Sequence, residues 1–308
     1  MIRLTIIFIL FWFFALKTSA QEFVPLWPKK KMPNSKGLAL KDSIANERIY
    51  KVGTPGIYTF FPSKQENKGT SVIICPGGGY ERLAYMISGW QLAKWFNTMG
   101  ISAFVLNYRL PNSPDLKERQ MGPIQDAQRA IRLVRANASK WGINPDKVGI
   151  MGTSAGGHLA ATLGTETKDV SAINDSLTRI AYKPNFMILI SSVINMGPYA
   201  HAGSRKNLLG PNPSEELLKK YSLEQQVSAA TPPAFLVHAF NDKSVSPQNS
   251  LLFYQALLEK NIPASLHIYP QGAHAIALRN NPGSTETWPQ LCEMWLKEMG
   301  FLPAEVPK

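Results

Sequence analysis

Short apolar runs and helical patterns alternate along most of this chain. Apolar runs typical of buried strands lie at residues 56–61, 71–75, 102–108, 148–151, 186–193, 234–238 and 264–269. Helical patterns lie between and after them, at residues 122–140, 155–163, 247–259 and 287–299. Strands that alternate with helices across short connections favour parallel pairing, because each helix carries the chain back over the sheet. The pattern therefore predicts an α/β fold, with a mostly parallel central sheet and helices on both of its faces.

The helical pattern at residues 122–140 is amphipathic. Its apolar residues recur three or four positions apart and form one face: Ile124, Ala127, Ile131, Val134 and Ala138. Its arginines lie off that face: Arg129, Arg132 and Arg135. Because apolar residues at this spacing cover one side of a helix, we expect that side to pack on the sheet.

The first twenty residues have the composition of a secretory signal peptide. Arg3 supplies a positive charge, residues 4–16 form an apolar stretch, and Thr18-Ser19-Ala20 is a small-residue cleavage site. The apolar stretch is short for a membrane span, and no cysteine follows the cleavage site to accept a lipid anchor. We therefore expect export to the periplasm or beyond. A proline- and lysine-rich arm is predicted at residues 21–50, and one α/β domain at residues 51–308.

The net charge of +12 suits either an acidic partner, such as an anionic polysaccharide, or plain solubility. The cationic residues are scattered apart from the run Lys29-Lys30-Lys31, which favours solubility. We expect no nucleic-acid partner, and no membrane partner after removal of the signal peptide. Cys75 and Cys292 are compatible with a disulfide or with two buried thiols. Neither has the spacing of a metal site, and no metal or cofactor is expected.

A serine stands at the apex of a predicted turn between a strand and a helix. The strand at residues 148–151 ends in Gly152-Thr-Ser-Ala-Gly156, and a small-residue segment with helical character follows. Gly-x-Ser-x-Gly in this context is typical of the nucleophile elbow of serine hydrolases, in which a strained turn pushes the hydroxyl out of the sheet. The pentapeptide alone is also compatible with an ordinary tight turn. Its position between strand and helix favours Ser154 as a nucleophile.

A serine nucleophile requires a histidine that takes its proton. His274 lies in a loop of small residues after the last predicted strand, at the edge where parallel sheets bind their ligands. We therefore predict His274 as the general base. The other histidines are less suitable: His267 lies within a strand, His158 and His238 are predicted to be structural, and His201 falls in an irregular region.

The histidine in turn requires a carboxylate that orients it. Asp242 directly follows the predicted strand at residues 234–238 and lies between nucleophile and base in the chain. The order Ser154, Asp242, His274 is that of the α/β-hydrolases. Three other aspartates do not follow a strand after the nucleophile: Asp126, Asp146 and Asp175.

Backbone amides must stabilise the oxyanion that forms during acyl transfer. One is expected from Ala155, the residue after the nucleophile. The others are expected from Cys75-Pro-Gly-Gly-Gly-Tyr80, a loop that follows an early strand. Because glycine lets the backbone turn its N–H groups inward, we assign these donors to Gly78 and Gly79.

Several motifs together resemble those of exported acetylxylan-esterase-like α/β-hydrolases, within the broader group of dienelactone-hydrolase-like and feruloyl-esterase-like proteins. The motifs are Pro76-Gly-Gly-Gly-Tyr80, Asn107-Tyr-Arg-Leu110, Asp126-Ala-Gln-Arg-Ala-Ile-Arg-Leu-Val-Arg135, Gly152-Thr-Ser-Ala-Gly-Gly-His158 and Pro232-Pro-Ala-Phe-Leu-Val-His238. The resemblance covers most of residues 21–308 and implies deacetylation of plant cell-wall polysaccharides, such as xylan, or of their oligosaccharides. Two positions depart from the family pattern. Ala273 and Ala275 flank His274 where relatives carry glycine, and Cys75-Pro76 stands where many carry a histidine.

Two other functions remain open at this point. One is a broad short-chain carboxylesterase or a serine peptidase on the same scaffold, and the other is an inactive binding module, which the intact triad disfavours. Tyr80, Tyr85, Trp90 and the segment at residues 199–209 are candidates for sugar stacking, with burial in the core as the alternative for the aromatic rings.

Overall fold

The computed structural model describes residues 21–28, 31–171, 173–274 and 276–304. The predicted signal peptide at residues 1–20 lies outside the described residues, as do Lys29, Lys30 and Ala275. None of the helices in the described ranges has the length and hydropathy required to cross a bilayer.

The described residues form ten strands: β1 (Phe23–Pro25), β2 (Ser43–Ala45), β3 (Arg48–Lys51), β4 (Gly56–Phe60), β5 (Ser71–Cys75), β6 (Ser102–Asn107), β7 (Val148–Thr153), β8 (Met187–Ile190), β9 (Ala234–Ala239) and β10 (Ala264–Tyr269). Eight of them build one sheet in the order β1-β4-β6-β5-β7-β8-β9-β10. The pairs from β6 to β10 are parallel, whereas β4 pairs antiparallel with both β1 and β6. The predicted mostly parallel sheet is confirmed.

The described helices are α1 (Gln91–Thr98), α2 (Met121–Ala136), α3 (Ala138–Trp141), α4 (Ala155–Thr165), α5 (Ala202–Leu209), α6 (Glu215–Tyr221), α7 (Gln248–Glu259) and α8 (Trp288–Glu298). Helices α2, α4 and α7 contact one face of the sheet, and α1 and α8 contact the other. Two apolar clusters fill the spaces between these layers. The predicted helices are present, with the pattern at residues 122–140 divided into α2 and α3 at Asn137. The sequence pattern did not predict α1, α5 or α6.

Helix α2 is buried on more than its predicted apolar face. All of the predicted apolar positions are buried, including Ala138 at the start of α3: Ile124, Ala127, Ile131, Val134 and Ala138. Arg129 and Arg132 were expected off that face, and both are nevertheless buried. Each forms an ion pair at 2.6 Å, Arg129 with Asp175 and Arg132 with Asp169. The segment after α4 supplies these carboxylates, so a polar face of α2 is covered by chain that lies distant in sequence.

The two cysteines lie in different layers of the molecule. Cys75, at the end of β5, belongs to the cluster on the α2 and α4 side of the sheet, and Cys292 on α8 belongs to the opposite cluster. Both thiols are free and buried, and burial raises the pKa of each. The sequence left open a disulfide or two buried thiols, and the structure has two buried free thiols.

Candidate active site

Ser154 occupies the sharp turn between β7 and α4. Its backbone has φ 56° and ψ −122°, which is a strained conformation for a residue with a side chain. The segment at the end of β8 holds this turn through two hydrogen bonds. Ser154 N–H donates to Ile190 O at 3.0 Å, and Ser154 O accepts from Val193 N–H at 3.1 Å. The turn places Ser154 at the carboxyl edge of the sheet with its side chain toward a cavity.

The glycines on both sides of Ser154 allow β7, α4 and β5 to approach one another closely. A Cβ added to Gly152 would lie 2.1 Å from Gly156 O, and one added to Gly156 would lie 2.1 Å from Cys75 O. Both distances are far shorter than van der Waals contact, and the clashing atoms are backbone atoms that cannot rotate away. Glycine is therefore required at both positions, for the steric reason that the sequence motif suggested.

The structure brings the three predicted triad residues together in hydrogen-bond contact. His274 Nε2 lies 2.9 Å from Ser154 Oγ, and His274 Nδ1 lies 2.7 Å from Asp242 Oδ2. Asp242 follows β9 and His274 follows β10, so both come from loops at the same edge of the sheet as Ser154. The side chain of His274 is 30% exposed, whereas that of Asp242 is fully buried. This geometry lets the imidazole take a proton from the serine while the carboxylate fixes its orientation.

Asp242 is surrounded by donors that stabilise its charged form. Its Oδ1 accepts backbone N–H groups of Ser244 and Val245, each at 2.9 Å. Its Oδ2 lies 3.3 Å from His238 Nε2 in addition to His274. Burial acts to raise the pKa of Asp242, but the hydrogen bonds from His238, His274 and Val245 outweigh it and hold that pKa well below its usual range. Asp242 is therefore ionised throughout the neutral range.

His238 is a residue whose contact with Asp242 the sequence did not reveal. It is fully buried on β9, with Nδ1 at 2.8 Å from Ser250 Oγ and Nε2 at 2.9 Å from Val245 O. The contact arises because the turn after β9 folds back on the strand and carries Asp242 over the ring. The sequence contains no recognisable signal for this, since a histidine four positions before an aspartate has no fixed geometry outside a helix.

The carbonyl groups of the glycine loop after β5 all have hydrogen-bond donors. Gly77 O accepts from Ala84 N–H, Gly78 O accepts from Arg82 N–H, and Gly79 O accepts from the Asn207 side chain at 2.8 Å. Within the described chain, the N–H groups of Gly78 and Gly79 have no acceptor. Both glycines have positive φ and line the cavity together with Ser154.

Ala155, the third predicted oxyanion donor, is the first residue of α4. An amide at this position has no acceptor within its own helix, so it is available to a ligand in front of the turn. The amides of Ala155, Gly78 and Gly79 therefore come from the two chain segments that flank Ser154. Three N–H groups in this arrangement are suited to a developing negative charge on oxygen.

Tyr80 and His158 connect the glycine loop to the elbow helix. Tyr80 is 1% exposed, and its hydroxyl lies 2.9 Å from His158 Nδ1. His158 Nε2 donates to Tyr221 O at 2.9 Å, which makes Nδ1 the acceptor of the Tyr80 proton. Burial lowers the pKa of His158 to about 4, so this ring is neutral and structural at neutral pH.

The cavity in front of Ser154 has a volume of about 540 Å³. Its lining includes five large apolar side chains: Ile87, Leu92, Ile190, Ile276 and Leu278. Arg48, Arg82, His201 and Asn207 contribute polar groups. Tyr80, Tyr85 and Trp90 are not among the lining residues in the described part of the chain, and Trp90 packs against Tyr58, Phe60 and Tyr85 instead. Tyr80 is a core residue, whereas Tyr85 and Trp90 are partly buried and pack against the two apolar clusters. Helix α5 replaces the expected loop at residues 202–209.

A family profile identifies the group to which this site belongs. The profile of the BD-FAE family matches residues 57–257, the region that runs from β4 through the elbow to α7. The chain belongs to the BD-FAE family. Both Ser154 and Asp242 of this BD-FAE chain lie within the matched region, and His274 follows it.

Two curated relatives and one solved structure are similar to this BD-FAE chain over most of its length. "Endo-1,4-beta-xylanase B" of Butyrivibrio fibrisolvens is 35% identical over 81% of the chain and 40% of its own length. "Acetylxylan esterase" of Xylanibacter ruminicola is 33% identical over 83% of the chain and 49% of its own length. The chain thus spans less than half the length of these two relatives.

The solved structure is an acetyl ester-xyloside bifunctional hydrolase from Caldicellulosiruptor lactoaceticus. It is 36% identical to this BD-FAE chain with a TM-score of 0.77, over 91% of this chain and 97% of the solved one. The fold around the site is therefore shared nearly from end to end, and the α/β-hydrolase class predicted from the sequence is confirmed.

Proposed function

We propose that this chain is a serine carboxylic-ester hydrolase that removes O-acetyl groups from xylan-type polysaccharide or its oligosaccharides. The contact of Ser154 with His274 and of His274 with Asp242 is the observation that carries the reaction type. The substrate class rests on the relatives named acetylxylan esterase and acetyl ester-xyloside hydrolase. In this proposal Ser154 is the nucleophile, His274 the general base and acid, and Asp242 the carboxylate that orients His274.

The first half of the reaction transfers the acetyl group to the enzyme. Ser154 Oγ attacks the ester carbonyl carbon while His274 Nε2 takes the hydroxyl proton. The carbonyl oxygen becomes an oxyanion and accepts hydrogen bonds from the amides of Gly78, Gly79 and Ala155. When the tetrahedral intermediate collapses, His274 gives its proton to the departing sugar oxygen, and the acetyl group remains on Ser154.

The second half repeats these steps with water. His274 takes a proton from a water molecule whose oxygen attacks the acetyl-serine carbonyl carbon. The same three amides stabilise the second oxyanion, and Ser154 leaves with the proton returned by His274. The products are acetate and free enzyme, so the reaction consumes only the ester and water.

A broad short-chain carboxylesterase is the second candidate, because the large apolar side chains that line the cavity are compatible with acyl groups longer than acetyl. The p-nitrophenyl esters of acetate, butyrate and octanoate separate the two functions. Fastest turnover of the acetate ester supports the acetyl esterase, and faster turnover of octanoate contradicts it. Release of acetate from acetylated xylan or xylo-oligosaccharides tests the sugar substrate directly.

Ser154→Ala tests the nucleophile. We expect kcat to fall by about 10⁶-fold, because the acyl-enzyme can no longer form. The melting temperature should be unchanged or higher, since alanine fills the same turn with one atom fewer. Residual activity near that of the unsubstituted protein would exclude Ser154 as the nucleophile.

The same proposal includes the organisation of the chain. We propose that residues 1–20 direct export and are removed, that residues 21–50 are an arm, and that residues 51–308 are the catalytic domain. In support, residues 23–25 of the arm add strand β1 to the antiparallel edge of the sheet, although Arg48 near the end of the arm lines the cavity. N-terminal sequencing of the exported protein tests the cleavage site.

A further inference from the structure

His201 is a cavity residue to which the proposed reaction gives no role. It caps the N-terminus of α5 and lines the same cavity as Ser154 and His274. Its ring is half-buried and lies on the glycine-loop side, since a Cβ added to Gly79 would be 4.0 Å from His201 Cε1. The ring therefore lies beside the proposed oxyanion donors.

The capping contact fixes which nitrogen of His201 carries the proton. Ser204 N–H donates to His201 Nδ1 at 3.1 Å, and Ser204 Oγ lies 2.8 Å from the same nitrogen. A ring nitrogen that accepts a hydrogen bond has no proton, so the proton of the neutral ring is on Nε2. Burial lowers the pKa of His201 and the neighbouring His274 lowers it further, which keeps the ring neutral at neutral pH.

The Nε2–H group of His201 has no acceptor in the described part of the chain. The contact with Ser204 holds the ring at the start of α5. Asn207, further along the same helix, donates to Gly79 O at 2.8 Å. One short helix thus fixes both the glycine loop and a neutral N–H donor that borders the cavity. Such a preorganised donor next to reacting groups is suited to binding a substrate oxygen.

The chemistry of an acetyl ester restricts which oxygen this is. In the proposed mechanism the carbonyl oxygen is bound by the amides of Gly78, Gly79 and Ala155, and the bridging oxygen receives its proton from His274. The remaining acetyl atoms form a methyl group, which accepts no hydrogen bond. With these two oxygens already assigned partners, the remaining acceptors for His201 belong to the alcohol portion of the ester.

We propose that His201 Nε2–H binds an oxygen of the alcohol portion, namely a hydroxyl group next to the acetylated position of a sugar. This rests on the proposed function and assigns the residue that selects polyol esters over esters of simple alcohols. It predicts that the enzyme discriminates between two acetates that differ by one neighbouring hydroxyl.

The test compares cyclohexane-1,2-diol monoacetate with cyclohexyl acetate, which lacks only that hydroxyl. We expect the unsubstituted enzyme to have a roughly tenfold higher kcat/KM for the diol ester, the size of one hydrogen bond. In His201→Asn and His201→Phe the ratio of the two kcat/KM values should fall to about one. Asparagine retains a capping side chain without the ring, and phenylalanine retains the ring shape without a donor. An effect shared by both variants therefore belongs to the N–H group.

The outcomes separate this inference from the function on which it rests. A ratio that stays high in both variants, or equal losses on the two esters, overturns the role of His201 while the esterase remains. Equal losses would instead be expected if His201 were another oxyanion donor. An enzyme that cleaves p-nitrophenyl acetate but neither of these esters nor acetylated xylo-oligosaccharide overturns the proposed substrate class and the inference with it.

Discussion

Asp126 and Asp242 are both buried aspartates that face a basic side chain, but they lie in different regions of the molecule. Asp126 on α2 is 0% exposed, and Arg109 Nη2 approaches its Oδ1 at 2.8 Å. The side chain of Asp242 is also fully buried, at the carboxyl edge of the sheet, and His274 Nδ1 approaches its Oδ2 at 2.7 Å. The two carboxylates therefore have similar local contacts. They differ in the further contacts that their basic partners make.

Asp126 and its partner Arg109 make their further hydrogen bonds to other groups of the protein interior. Trp27 Nε1 donates to the carboxylate at 2.7 Å, and Arg109 Nη1 donates to Pro33 O at 2.7 Å. Behind Asp242 the imidazole continues to Ser154 Oγ at 2.9 Å and to the cavity. A closed network can only stabilise the fold, whereas a partner with a second nitrogen at a cavity can transfer a proton. Burial of a carboxylate alone thus says nothing about catalysis.

Among substitutions at these two carboxylates and their contacts, the largest expected loss of kcat comes from Asp242→Asn. We expect kcat to fall by about 10⁴-fold, because an amide holds His274 in the wrong tautomer while the geometry is retained. Steady-state kinetics with p-nitrophenyl acetate measure this loss. Activity near that of the unsubstituted enzyme would mean that another carboxylate orients His274.

The pH dependence of stability provides a control for this variant. The pKa of Asp242 is lower in the fold than in the unfolded chain, so its charge contributes stability above an unfolded pKa of about 3.9. That contribution is lost as the pH falls through the folded value. The difference in melting temperature between the two proteins should therefore narrow as the pH is lowered below 4.

Asp126→Asn is expected to change stability instead of chemistry. The substitution leaves the Arg109 guanidinium buried without a counter-charge, which costs about 3–5 kcal/mol of unfolding free energy. Urea denaturation measures this, and kcat of the folded protein should be unchanged. Adding Arg109→Met should recover part of the loss, because the double variant has no unpaired buried charge. A large fall in kcat without loss of stability would contradict the distinction between the two carboxylates.

The smallest effect is expected from His238→Gln. His238 Nε2 lies 3.3 Å from Asp242 Oδ2, and the shorter amide can keep only part of this contact. We expect kcat to fall about tenfold, which corresponds to one hydrogen bond to a charged group, with KM unchanged. Ser250→Ala is the matched control, because Ser250 contacts the other nitrogen of the same ring and not Asp242. An equal loss of kcat in both variants would show that ring packing, not the contact with Asp242, matters.

The sequence predicted those parts of the site that depend on local chain geometry. Ser154 was found because the elbow requires glycines at fixed offsets, and Asp242 and His274 were found because each follows an apolar run. The strands β5 and β10 agree with their predicted limits. The sequence can reveal these features because short-range sterics and burial of a strand on both faces restrict the residue types at neighbouring positions.

The sequence placed His201 and Asn207 only within residues 199–209, a candidate sugar-stacking segment, and it predicted His238 to be structural. His201 and Asn207 act through α5, a helix whose residues Ala-Gly-Ser-Arg-Lys-Asn-Leu-Leu show no clear apolar periodicity. Arg129 and Arg132 were expected off the packed face of α2 and are buried by carboxylates from residues 169 and 175. Contacts of this kind depend on which segments, distant in sequence, come together in the fold. The residue types of one segment do not indicate this.

By itself, the sequence determined the α/β class, and it predicted the strained serine turn and the order of three candidate triad residues. Periodicity and turn chemistry are properties of neighbouring residues, so they can be read along the chain. Only the tertiary structure decided that Asp242 is the aspartate next to His274, that Asp126 is enclosed by Arg109 and Trp27, and that His201 borders the cavity. Each of these depends on which side chains from separate segments share one space, which is set by the packing of the whole sheet.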